Sequence, residues 1–86
     1  MEKNEILIDL QVIFDSVFKT NSIQINEDTS AKDINGWDSF THLVLIQEVE
    51  KKFNIEFKLR ELMRMSNVGE MIEIISNKFS YDWIFY

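Results

Sequence analysis

Eighty-six residues with 45% hydrophobic content can build one compact domain and not two, so function must reside on one surface or one modified residue. Proline is absent and glycine stands only at Gly36 and Gly69, which leaves few of the tight turns that hairpins need and suits helices joined by polar loops. A formal charge of -6, with fifteen acidic against nine basic residues, disfavours nucleic acid, and the lack of cysteine excludes disulfides and cysteine metal sites.

Ile6, Leu10, Ile13, Phe14 and Val17 recur at helical spacing and predict a first helix over about residues 2–19. No apolar run reaches membrane-spanning length, because Asp9, Asp15, Lys19, Glu48 and Glu50 interrupt each candidate. Met1 to Glu5 lacks the basic-then-apolar layout of a signal peptide. The expectation is a cytoplasmic monomer without membrane insertion.

Residues 20–37 show little periodicity and form a long polar loop, with Ile23, Ile25 and Ile34 as its anchors. The second helix is predicted over about residues 39–53. A projection at about 100° per residue gathers Leu43, Ile46, Val49, Glu50 and Phe53 on one buried arc with His42 at its margin. Phe40, Thr41, Val44, Gln47, Glu48, Lys51 and Lys52 then face outward.

Asn54 allows the helix to end, Ile55 to Phe57 reads as extended, and a short helix follows over about residues 59–64. Asn67 with Glu70 resembles a capping box, and Val68, Met71, Ile72, Ile75 and Phe79 carry a last helix over about residues 68–79. Residues 1–79 thus form the domain, followed by a tail over 80–86 with four aromatics in seven residues. The tail is expected to fold back onto the bundle as extra core; a partner or self-association surface is the alternative.

Gly36-Trp37-Asp38-Ser39-Phe40 sets Ser39 in the first turn of the second helix. Backbone N–H groups are unpaired there and the helix dipole is positive, a setting that suits a phosphate ester. An Asp or Ser before an apolar run is also a plain helix cap, so the dipeptide alone does not decide. The surrounding pattern adds to it. The stretch from Asp28 to Phe40, the helix continuing through Glu50-Lys51-Lys52-Phe53-Asn54-Ile55, and the Val68-Gly69 pair opening the last helix resemble an acyl carrier protein over about residues 6–79.

The resemblance implies an all-α, four-helix bundle of acyl-carrier type, with three main helices, one short third helix and a long loop between the first two. It implies a carrier and not an enzyme, with Ser39 as the attachment site of 4'-phosphopantetheine, taken from coenzyme A by a separate phosphopantetheinyl transferase. Asp38 matches the aspartate that positions magnesium during loading; the chain itself holds no metal site. Acyl or aminoacyl groups would ride as thioesters on the arm. Partners would be an adenylating ligase, an acyltransferase or a synthase docking on Phe40, Thr41, Val44, Gln47, Glu48 and Lys51.

The chain departs from the family in two respects. Phe40 replaces the usual leucine after the serine, and Thr41, Val44, Lys51 and Lys52 stand where fatty-acid carriers typically hold acids. This mixed face points to a dedicated partner in a specialised biosynthetic pathway, because an arginine-lined docking surface would lose charge complementarity.

Two competing readings use the same residues. A helical adaptor could keep the fold without any prosthetic group and bind partners through Phe40, Val44 and the tail. A hydrolase built on Ser39 and His42 lacks the oxyanion glycines and the strand-turn-helix elbow, so His42 reads as a packing or surface residue near the arm. Met63, Met65 and Met71 read as soft core fillers or the wall of an acyl pocket.

Overall fold

A computed structural model describes the backbone of residues 2–19 and 23–84, with side chains through residue 79. Among the described residues the chain forms α1 (Lys3–Phe18), α2 (Ser39–Phe53), α3 (Leu59–Met63) and α4 (Val68–Ile84), with one turn of 3-10 helix at Ala31–Asp33 before α2. The fold is all-α, and α1 packs against both α2 and α4.

The core follows from the apolar stripes. Ile6, Leu10, Ile13 and Phe14 of α1 meet Leu45, Ile46, Val49 and Phe53 of α2 and Val68, Met71, Ile72, Ile74 and Ile75 of α4. Helix ends are marked by local chemistry. Asn54 adopts a left-handed conformation with φ 56° and donates its N–H to Glu50 O, which stops α2. Lys19 does the same after α1 at φ 53°, a conformation less natural to a residue with a long side chain.

The long loop is held down by three devices. Ile25 and Ile34 insert into the core, and Ile23 packs at its edge. The Gln11 side chain reaches from α1, donating to Ile23 O at 2.9 Å and accepting from Ile25 N at 2.9 Å. The loop also caps α4: Thr29 O accepts from Val68 N and Glu27 O from Gly69 N, each at 2.8 Å. Asn67 Oδ1 accepts from Glu70 N at 2.9 Å, while the Glu70 carboxylate accepts from the Ser66 hydroxyl at 3.0 Å. First-turn amides of α4 that would be orphans are thereby satisfied.

The expected orientation of α2 needs correction. Leu43 is 56% exposed and lies outside the core, whereas Leu45 is fully buried. The buried arc is rotated by about half a residue step from the projected one. Both leucines are apolar, so the packing of α1 decides which one turns inward. Glu50 serves the chain after α2, its Oε2 accepting from Phe57 N at 2.9 Å. Met63 is 80% exposed, so of the three methionines read as core or pocket wall only Met65 and Met71 are buried.

Helix α4 runs past Phe79, where the sequence pattern suggests an end, to Ile84. No glycine or proline follows Gly69 to stop it. The expectations for the aromatic side chains of residues 80–86 lie outside the described residues.

Candidate functional site

The approach to α2 is built one residue at a time. Ser30 and Asp33 close a small reciprocal cap, Ser30 N donating to Asp33 Oδ2 and Asp33 N to Ser30 O, both at 2.9 Å. Ile34 then anchors the chain in the core, and Gly36 at φ 90° makes a left-handed turn that favours glycine. Trp37 follows as a buried wedge, edge-on to Phe14 with ring centroids 5.3 Å apart.

Asp38 is the N-cap of α2. Its Oδ1 accepts from Thr41 N at 3.0 Å, while Asp38 N donates to Thr41 Oγ1 at 2.8 Å. The Thr41 hydroxyl also donates to Gly36 O at 2.7 Å and so fastens the turn to the helix. The Thr41 amide, then the Thr41 hydroxyl, whose proton has the same Oδ1 at 3.1 Å as its alternative acceptor, holds the Asp38 carboxyl below its ordinary pKa, so Asp38 is an anion at neutral pH.

Ser39 is therefore the first helical residue, with an exposed side chain. Its hydroxyl makes no hydrogen bond among the described residues. It opens onto a groove of about 530 Å³ whose walls are Ala31, Trp37, Asp38, His42, Leu43, Leu62, Met65 and Ser66. The groove runs from the start of α2 to α3 and the segment after it. Ser39 and Asp38 come together there, with His42 one helical turn away.

His42 is half-buried and packs on Trp37, the two rings stacked at 19° with centroids 6.0 Å apart. Trp37 Nε1 donates to His42 Nδ1 at 3.1 Å. Burial pushes the imidazole pKa below the ordinary histidine value. His42 is thus both a packing residue and a groove wall.

The outer face of α2 is mixed. Phe40 is 74% exposed, Gln47 is exposed and Val44 half-buried, and Glu48 pairs with Lys51 at 3.4 Å. Thr41 differs from these residues, since its hydroxyl is committed to the cap. Leu43, Leu62 and Ser66 are groove residues that the sequence pattern does not single out. The first reads as core by helical projection, and the other two reach the groove through the path of α3, which is a long-range property.

A second depression of about 540 Å³ lies at the far end of α2, between Asn54 to Glu61 and α4. Lys78 bridges it, pairing with Glu61 at 2.9 Å and lying 5.6 Å from the Phe57 ring centroid. It contains none of the residues at the start of α2.

Comparison with known proteins agrees with this architecture. Residues 9–75 match the family model described as a phosphopantetheine attachment site. The chain is 27% identical over 78 residues to an acyl carrier protein of Exiguobacterium sp., covering 91% of this chain and 99% of that one. Against the acyl carrier protein of Exiguobacterium sibiricum it is 28% identical with the same coverage. The solution NMR structure of a holo acyl carrier protein from Geobacter metallireducens superposes with a TM-score of 0.84 at 36% identity, covering 93% of this chain and 92% of that one.

Proposed function

This chain belongs to the acyl carrier protein family, and on that premise we propose that Ser39 takes the 4'-phosphopantetheine arm and presents acyl or aminoacyl thioesters to partner enzymes. The observation that carries this reading is the exposed Ser39 hydroxyl at the first position of α2, opening onto a groove of about 530 Å³. The chain is a carrier and not an enzyme. The prosthetic group supplies the reactive thiol, and the protein supplies its placement.

The local residues fit a phosphodiester. The first-turn amides and the positive end of α2 favour an anion at Ser39 by about 0.3–1 kcal/mol at an exposed site. Asp38 is ionised beside it, and its carboxylate would help position the magnesium ion of the loading enzyme. The same carboxylate therefore caps the helix and marks the serine for a phosphopantetheinyl transferase.

The docking surface proposed around this site comprises Phe40, Val44, Gln47, Glu48 and Lys51. On the outward side of α2, Glu48 is paired with Lys51 and Lys52 stands beside them, in a chain whose net charge is -6. Such a face gives little electrostatic steering toward a cationic partner. It favours a dedicated ligase, acyltransferase or synthase that recognises the apolar Phe40, and with it a specialised biosynthetic pathway.

Intact mass measured after incubation with coenzyme A, magnesium and a broad-specificity phosphopantetheinyl transferase tests the attachment. The expected result is one phosphopantetheine increment on the wild type and none on Ser39→Ala. No increment on either protein would remove the carrier role and favour a prosthetic-group-free adaptor.

A further inference from the structure

One polar side chain in the groove holds an unused donor. An indole N–H can only donate, so the bond from Trp37 Nε1 at 3.1 Å makes His42 Nδ1 the acceptor. The neutral imidazole then carries its proton on Nε2. Nε2 makes no hydrogen bond to the described residues, and none of their buried side-chain nitrogens or oxygens lacks a partner. Nε2 is therefore reached by solvent.

His42 lies three residues after Ser39 on α2 and lines the same groove. Helix geometry brings side chains at this spacing to within about 5–6 Å at their β-carbons. We propose that His42 is a positioning residue for the prosthetic arm, its Nε2–H donating to the phosphodiester oxygen on Ser39 and holding the first bonds of the arm against the groove. The inference rests on Ser39 being the attachment residue.

Three features support the assignment. Trp37 fixes the imidazole by both stacking and hydrogen bonding, so the donor is preorganised and loses little freedom on binding. Burial keeps the ring neutral near neutral pH, so the Nδ1 acceptor and the Nε2 donor persist together. From the other elements the groove receives Ala31, Leu62, Met65 and Ser66, which are not ionisable. Asp38 is the charged group among the residues lining the groove, and it is present with or without the arm.

His42 is the only histidine of the chain, so its imidazole resonances can be followed without assignment ambiguity. The experiment records the His42 titration by NMR in the apo and holo proteins, with 31P spectra of the holo protein across the same pH range. A phosphodiester beside the ring favours the imidazolium, so the His42 pKa should rise by about half a unit or more on loading. The phosphodiester itself does not titrate near neutral pH. Its 31P shift should follow the His42 midpoint in wild type and stay flat in His42→Gln.

Identical His42 midpoints in apo and holo protein, with a pH-independent 31P shift, would overturn the proposal, and this comparison requires no variant to fold. A purely structural His42 would lower the stability of His42→Gln without linking the two titrations. Intact mass distinguishes loss of the His42 contact from loss of the attachment itself. A holo protein with unlinked titrations defeats only the role of His42, whereas absence of any arm on Ser39 defeats the carrier reading and the positioning role together.

Discussion

Gly69 donates its backbone N–H to Glu27 O at 2.8 Å, and a β-carbon on Gly69 would stand 2.9 Å from that same oxygen. The glycine of the Val68-Gly69 pair is thus explained by close approach of the loop backbone. One carbonyl of the long loop serves as part of the N-terminal cap of α4, and Thr29 O supplies its neighbour. The loop that delivers Ser39 is in this way fastened to the start of α4.

Gly69→Ala should therefore force Glu27 away from α4 and loosen the loop. Overpacking of this kind costs about 1–3 kcal/mol. Urea unfolding followed by circular dichroism should show a lower midpoint, with amide shifts concentrated at residues 26–30. An unchanged midpoint would mean that the loop yields without loss of its cap.

The rotation of α2 gives a paired test. Leu45→Ala empties a fully buried position and should cost about 2–5 kcal/mol, as should Ile46→Ala. Leu43→Ala, at a position 56% exposed, should cost less than about 1 kcal/mol. Equal losses at Leu43 and Leu45 in denaturant melts would show that the helix is turned differently.

These leucines also show what the sequence could and could not convey. The four helices are readable because their signals are local: apolar spacing in α1 and α4, Asp38 ahead of α2, and Asn54 after it. Ser39 at the start of α2 is readable for the same reason. The register of α2 is only partly so, since Leu43 and Leu45 are equally apolar and α1 chooses between them. The Trp37–His42 bond spans only five residues but depends on the rotamers of both rings, and the wall formed by Leu62 and Met65 depends on how the chain returns through α3, which no window of sequence encodes. The end of α4 is missed because nothing in its composition stops it.

The cap of α2 makes stability depend on acid in a defined direction. Thr41 holds the Asp38 carboxyl below its ordinary value of 3.8, so the folded state binds the proton less readily than the unfolded chain. The contribution of this charge is present above pH 3.8 and is lost as pH falls through the lower, folded value. The stability difference between wild type and Asp38→Asn should shrink on acidification across that window. Thr41→Val, which keeps the amide but removes the hydroxyl, should bring the Asp38 midpoint part of the way back up in a carboxyl 13C titration. A midpoint that does not move would assign the whole effect to the backbone.

Phe40 separates folding from recognition. Its ring is 74% exposed at the second position of α2, so truncation removes almost no buried area and leaves no cavity. Phe40→Ala should melt within about 0.5 kcal/mol of wild type. It should still accept phosphopantetheine if the loading enzyme recognises Asp38 and the helix start. An exposed aromatic next to the proposed attachment serine is, however, the kind of residue that dominates a small interface, where truncation commonly costs more than about 1 kcal/mol. Transfer by the cognate partner should then slow about fivefold or more at subsaturating carrier, the loss appearing in kcat/KM. Holo Phe40→Ala that passes its thioester at the wild-type rate would remove this ring from the docking surface and leave Val44 and Gln47 as the candidates.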